Sequence, residues 1–353
     1  MTHYRIAAIP GDGIGGEVVA EGIRVTAAAA EALGFGCRFD PLPWGSQHFL
    51  DHGAMMPEDA LTRLAGYDAI YLGAVGHPRV PDHTTLNGLL LPIRRTFEQY
   101  ANVRPTVLFA GVPTPLADRR PIDIILVREN TEGEYAQVGG GVHGGTETEV
   151  AVQTAVFTRR GTERIVRFAF EQARTLGRRS VTSITKSNAQ GHSMTFWDRV
   201  FREVAAEFAD IETSSILVDA AAMELIRRPS TFDVIVASNL FGDILSEITA
   251  TVTGGLGLAP SANLDPTRRH PSMFEPVHGS APDIAGRGVA NPIGAILSAA
   301  MMLAWLGETP AAAAIHAAVV DVLEDGRLRT RDIGGQASTA EVGAAIAERV
   351  RAR

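Results

Sequence analysis

The chain of 353 residues holds a single cysteine, Cys37. One thiol cannot close an internal disulfide, so a reducing cytoplasm is the expected compartment. Basic charge is also scarce. Lys and Arg number 32 against 40 Asp and Glu, for a net charge of −8. That balance disfavours nucleic acid, whose phosphates need a basic surface. Long apolar runs are missing. The most apolar stretch, residues 293–306, is shorter than the ~20 residues of a membrane span and reads as a buried helix. Residues 1–10 lack a basic segment followed by an apolar run and read as a strand, so secretion is not expected. No nucleophile elbow occurs, which leaves a serine-hydrolase reading without support.

What is present is alternation. Residues 4–9, 69–72, 122–127, 180–185 and 232–237 read as strands. Residues 17–33, 163–176, 193–208, 242–251, 293–305, 311–323 and 339–350 read as helices. This pattern argues for an α/β architecture, a sheet covered by helices, and the length suggests about two domains. Two segments break the rhythm. Residues 134–158 are Gly-rich at their centre and strand-like after, which fits either a projecting two-stranded arm or a surface loop. Residues 254–285, rich in Gly and Pro, read as one long loop, and such loops often carry function.

Gly11-Asp12-Gly13-Ile14-Gly15-Gly16 matches G-x-G-x-x-G between a strand and a helix, the context of a dinucleotide fingerprint. A tight turn that needs glycine for its backbone angles is the alternative. A negative protein that binds a polyanionic acid needs a local cationic pocket, and Arg94, Arg104 and Arg128 are its candidates, since Arg binds carboxylates bidentately and keeps its charge. Arg94 follows Pro92 in a first helical turn, Arg104 precedes Pro105 in extended chain, and Arg128 ends an apolar strand. Asp243 and Glu247 lie four apart on one helical face, and Asp219 ends the strand-like run 216–218. Three such oxygen donors suit Mg²⁺ or Mn²⁺. The apolar neighbours Ile244, Leu245 and Ile248 predict that the two helical acids are partly buried. Lys186, after a strand, and Tyr135 are candidates for proton transfer. His48 and His52 have the spacing of two zinc ligands, but Phe49 follows His48 where a zinc protease needs Glu; they read as surface histidines.

Together these pieces resemble the β-decarboxylating dehydrogenases, which include isocitrate, isopropylmalate, homoisocitrate and tartrate/D-malate dehydrogenases. The segments IPGDGIGGEV, LLLPIRRTFEQYANVRP, VRENTEGEY, TKSNA and NLFGDILSE followed by FEPVHGSAPDIAGRGVANP carry the resemblance, in family order and over nearly the whole chain. It implies an isocitrate/isopropylmalate dehydrogenase-like fold, not a Rossmann fold: two α/β domains with a large shared sheet. The first would span 1–99 with 253–353 and the second 100–252, with an arm at about 134–158 crossing to the partner of a homodimer. The Gly11–Gly16 loop is then a structural turn beside the cofactor.

The same resemblance places Arg94, Arg104 and Arg128 on substrate carboxylates and Asp219, Asp243 and Glu247 at metal positions. Tyr135 and Lys186 fall at proton-transfer positions. Glu275, His278, Gly279, Ser280, Ala281, Asp283 and Asn291 fall in the cofactor loop. Implied cofactors are NAD and Mg²⁺ or Mn²⁺, with a monovalent cation as a further candidate, and the active sites would be shared between two subunits. Glu247 departs from the family, which usually has Asp there; its extra methylene shifts the metal contact or makes it water-mediated. Arg128-Glu129-Asn130-Thr131-Glu132-Gly133 and the 192–198 segment are most similar to the tartrate/D-malate branch. Leu90 and Leu91 would also suit an isopropyl group, which makes 3-isopropylmalate the second candidate ahead of isocitrate or homoisocitrate.

Overall fold

The computed structural model describes residues 2–353. Its strands are β1 (His3–Gly11), β2 (Gly36–Pro41), β3 (Ala69–Ala74), β4 (Ala101–Val107), β5 (Asp123–Glu129), β6 (Gly139–Val142), β7 (Val150–Gln153), β8 (Ser180–Thr185), β9 (Glu212–Leu217), β10 (Val234–Ala237), β11 (Pro260–Leu264) and β12 (Ser272–Pro276). The chain divides into two compact units. Residues up to 99, 104–122 and 250–353 form the first; 100–103 and 123–249 form the second.

In the first unit β1 lies between β2 and β3, parallel to both, and β12 runs parallel beside β3. β11 then pairs antiparallel with β12. β3, β11 and β12 are buried at every position, as strands covered on both faces are. That burial corrects the expectation of a long loop at 254–285. The segment holds a helical turn, Leu256–Leu258, and two strands. Fully buried strands show no apolar–polar alternation, and Pro260, Asn263 and Pro276 imitate turn punctuation.

The helices Gly15–Leu33, Ile293–Leu306, Thr309–Asp325 and Thr339–Arg351 close one core of this unit, with Val25, Ala29, Ile296, Leu303, Val319 and Ile346 packed together. Ile293–Leu306 is buried continuously from Ile293 to Ala300, as its composition requires. Among the described residues no helix is long and apolar enough to cross a membrane.

The second unit runs β5-β10-β8-β9, all parallel. The helices Arg159–Thr175 and Ser193–Ala205 cover it. Phe170 stacks on Phe201 and Phe208 with centroids 5.7 and 4.9 Å apart. The buried Trp197 gives its ring N–H to Ser183 Oγ at 2.9 Å, so no polar atom of the indole is left unmet. Between β5 and these helices, β6 and β7 pair antiparallel from Gly139↔Gln153 to Val142↔Val150. Every residue of the two strands is exposed. Of the two readings of 134–158, the two-stranded arm is the one observed.

The Gly11–Gly16 loop turns its amides inward. Asp12 N donates to Ala74 O at 2.8 Å, Ile14 N to Ser280 O at 2.9 Å and Gly15 N to Asp12 O at 2.9 Å. Gly13 sits at φ +55°, and a Cβ there would meet Ser280 O at 1.9 Å. Gly16, the third glycine of the pattern, has nothing within 4 Å of a Cβ position. A Rossmann turn needs that glycine for helix–strand packing. Gly13→Ala should therefore destabilise the fold by more than about 2 kcal/mol, since left-handed backbone alone costs about 1–2 kcal/mol and the carbonyl overlap adds to it. Gly16→Ala should be close to neutral. Thermal denaturation of the two variants checks this; equal losses would mean the loop is not the turn described.

Candidate active site

The second unit gathers its chemistry on one helix, Asn239–Val252. Arg128, penultimate on β5, is 1% exposed. Its Nη1 donates to Asp243 Oδ1 at 2.6 Å, and Nε and Nη2 donate to Asn239 Oδ1 at 3.1 and 2.6 Å. Asp243 Oδ2 accepts the Tyr135 hydroxyl at 2.7 Å, and the Arg128 guanidinium lies 5.3 Å from the Tyr135 ring centroid. Glu134 receives Leu240 N and Ser238 Oγ, which ties the start of the helix to the chain that carries Tyr135. Gly242 completes the seat, because a Cβ there would meet the Arg128 side chain at 2.8 Å. A cation and a phenol thus converge on the Asp243 carboxylate. Asn239, Glu134 and Gly242 were not singled out from sequence. For Asn239 and Gly242 the available signal is the NLFGD segment, with Asn239 and Asp243 four apart on one face; Glu134, in VRENTEGEY, carries no such signal.

Two expectations about the acids need correction. Asp219 does not end a strand: β9 stops at Leu217, and Asp219 opens the helix Val218–Arg227. Glu247 is exposed rather than partly buried, because Ile244 also faces solvent while Leu245 turns inward. Asp243 is part-buried as expected, its side chain 32% exposed. Asp219 bonds Lys186 Nζ at 2.8 Å. The ammonium, followed by the amide of Asp219 itself at the helix start, holds this carboxyl below the usual range. Among the described residues no three His, Cys, Asp or Glu side chains come together as a metal cage, so one chain does not gather Asp219 with Asp243 and Glu247.

The first unit carries the other candidates. Arg94, on the helix Leu91–Thr96, pairs through Nη2 with Glu275 Oε1 at 2.8 Å, both side chains being buried. Asn263 Nδ2 shares that oxygen at 2.7 Å. Arg94 Nε is buried with no partner, a donor that an anionic ligand would satisfy. Arg104 is buried on β4, in extended chain as Pro105 requires.

The 275–291 segment divides by role. His278 Nδ1 faces Gly279 O at 3.0 Å, so that nitrogen carries the proton and Nε2 is a buried acceptor without a partner. Burial lowers the pKa of this ring, keeping it neutral. Ala281 sits at φ +39°, strained for a residue with a Cβ. Gly279 and Ser280 line a cavity of about 570 Å³ with Gly76, His77 and Pro282. Asp283 is exposed. Asn291 is engaged elsewhere: its Oδ1 receives Ile293 N and its Nδ2 bonds Asp332.

The isocitrate/isopropylmalate dehydrogenase family model matches residues 5–346. The chain belongs to this family. It is 53% identical to a probable tartrate dehydrogenase/decarboxylase of Bacillus subtilis (strain 168), over 99% of each chain. It is 51% identical to the decarboxylating D-malate dehydrogenase of Escherichia coli (strain K12), over 98% of each. Isocitrate dehydrogenase from Methylococcus capsulatus superposes with a TM-score of 0.90 at 38% identity, over 99% of each chain. The fold expected from the resemblance is the one observed.

Dehydrogenases of this family generally use NAD(P) and a divalent metal. The residues fit both groups. The unpartnered His278 Nε2 is an acceptor that a purine amine would satisfy, and Gly279 and Ser280, next to it in the chain, border a cavity of about 570 Å³. Asp243 and Glu247 share a helical face and offer the oxygen donors a hard cation takes.

Glu129, beside Arg128, is 2% exposed. Its oxygens accept from Thr131 N, Thr131 Oγ1 and Glu132 N. Burial outweighs these donors and pushes its pKa from 4.5 up to about 7. The native state then binds the proton more tightly than the unfolded chain. The stability this contributes is complete below pH 4.5 and is lost as pH rises through about 7. Glu129→Gln should flatten the stability profile across that window. Urea unfolding of both proteins as a function of pH is the measurement, and parallel profiles would sink the assignment.

Proposed function

We propose that the chain oxidises and decarboxylates a small 2-hydroxy dicarboxylic acid, D-malate or tartrate, with NAD and Mg²⁺ or Mn²⁺. The observation that carries this reading is the junction at Asp243, where Arg128 and Tyr135 meet one carboxylate. The relatives named for tartrate and D-malate support the substrate branch. Arg94, Arg104 and Arg128 bind the two carboxylates. Asp243, Asp219 and, through its longer arm, Glu247 would hold the divalent ion. When bound, the ion would supply Lewis-acid polarisation of the hydroxyl and its neighbouring carboxylate, and NAD would supply the hydride acceptor. Lys186, in its neutral amine form, accepts the hydroxyl proton, and Tyr135 returns a proton to the carbon left by CO₂. His278, Gly279, Ser280, Ala281, Asp283, Glu275 and Asn291 form and support the cofactor loop. Asp283 favours NAD, since its charge repels a 2′-phosphate and Ile284 offers no cation. The family's NADP-dependent members typically carry Lys and Tyr at these two positions.

3-Isopropylmalate is the weaker candidate. Leu90 and Leu91, the side chains that would hold an isopropyl group, are buried, and Leu90 packs with Ile93 and Phe97 in a core cluster. With D-malate, NAD and Mn²⁺, the protein should form NADH, pyruvate and CO₂, and do so faster than with 3-isopropylmalate or with NADP. A preference for 3-isopropylmalate would overturn the branch; equal efficiency with NADP would overturn the role of Asp283.

The reading includes a homodimer with shared sites. In this arrangement Arg94, Arg104, Arg128, Tyr135 and Asp243 come from one chain, and Lys186 and Asp219 from its partner. Exposed Met223 and Ile226 on the helix of Asp219, and Ile244 on the helix of Asp243, support a covering surface there. Arg94→Ala and Lys186→Ala should each abolish turnover. Refolded together, they should recover part of it, because one site of a mixed dimer escapes both lesions. No recovery from verified mixed dimers would rule the shared site out.

A further inference from the structure

His48 and His52 take no part in the chemistry above. Both lie on the seven-residue helix Ser46–His52, one turn apart. Their ring centroids are 4.6 Å apart, with the planes tilted by 57°. Two imidazoles bound to one Zn²⁺ at about 2.0–2.1 Å put their ring centres roughly 5 Å apart, so the pair needs little adjustment to chelate. The rings also face one space: His48 and His52 line a cavity of about 390 Å³ with Asp51, Asp12 and Trp44.

The state of His48 is fixed by its neighbour. Its Nδ1 lies 2.6 Å from Ala54 O. A carbonyl oxygen only accepts, so Nδ1 carries the proton and Nε2 keeps the lone pair a metal binds. Orientation of a ligating ring through a carbonyl is the usual outer support of a histidine metal site. The acids of the cavity add negative potential without being committed as ligands. Asp12 is engaged with Ser46 N and Oγ and with Gly76 N, and Asp51 accepts from Gln47 Nε2 at 2.8 Å.

We propose that His48 and His52 form a two-imidazole chelate for a borderline transition cation such as Zn²⁺, drawn from residues other than the acids at 219, 243 and 247. Imidazole nitrogens select Zn²⁺, Cu²⁺ or Ni²⁺ over Mg²⁺ and Mn²⁺, which prefer oxygen. Water completes the coordination, since among the described residues no group of three metal-binding side chains forms. The affinity therefore falls below that of a closed four-ligand site. An ion there pins the helix Ser46–His52, whose start is bonded to Asp12 in the Gly11–Gly16 loop.

The test is calorimetric titration of the full-length protein with Zn²⁺ in excess Mg²⁺, which occupies the oxygen-only acids. The wild type should bind about one equivalent per chain, with a rise in thermal midpoint. His52→Ala and His48→Ala should each weaken binding by more than about tenfold and remove the midpoint shift. Circular dichroism without zinc confirms that both variants fold. Unchanged binding in either variant, or no wild-type binding that survives Mg²⁺, overturns the proposal.

Discussion

A guanidinium buried at the end of a strand has to be met by fixed partners, and the second unit is arranged around that requirement. Arg128 cannot lose its charge, and at 1% exposure water does not share the load. Leaving such a charge unpaired costs about 3–5 kcal/mol. Asn239 and Asp243 answer it from successive turns of one helix, and Gly242 leaves room for the stem. The helix must then be held in place, and Glu134 does this by binding Leu240 N and Ser238 Oγ. Tyr135 follows Glu134 in the chain, so the residue that anchors the helix also delivers the phenol to Asp243. One electrostatic demand thereby fixes strand, helix and turn together.

The first unit solves a related problem differently. Arg94 is also buried, but it pairs through a single Nη2 with Glu275, which Asn263 steadies in turn. Its Nε remains unpartnered. A pair of this kind neutralises the charge while leaving a directed donor for an anion. That matters in a protein with a net charge of −8, whose overall field repels a dicarboxylate. Recognition depends on short-range, desolvated donors, where the low dielectric strengthens each bond.

What the sequence disclosed follows the same division. β8 at Ser180–Thr185 was readable because four to eight β-rich residues bounded by polar ones leave little ambiguity. β11 and β12 were not, since strands buried on both faces carry no period and here contain proline and asparagine. Ile216–Val218 looks extended, which predicts a strand ending at Asp219; the helix begins at Val218 with no capping residue to announce it. The exposure of Glu247 is not legible in sequence, because a run of apolar neighbours does not say which way Ile244 points. Arg94, Arg104, Arg128 and Asp243 stand out by type and position, whereas Asn239, Glu134 and Gly242 act through contacts that only the folded chain brings together.

The arm and the acids share a further property. A two-stranded ribbon is marginal in water by itself, yet β6 and β7 form a separate two-stranded sheet with Val142, Val150 and Val152 exposed. The helices bearing Asp219 and Asp243 likewise expose Met223, Ile226 and Ile244. Single exposed apolar residues are ordinary, but apolar side chains repeated on the elements that carry the chemistry are not scattered. Asp219 adds an electrostatic reason. Its carboxylate is 65% exposed and joined to Lys186 at 2.8 Å, so in the single chain water screens this ion pair. A divalent cation is bound better where several carboxylates converge away from bulk solvent, because each charge is then felt at higher strength. Among the described residues one chain does not converge these acids, and in the proposed homodimer a second copy over the apolar helical faces would bring a further ligand and exclude water.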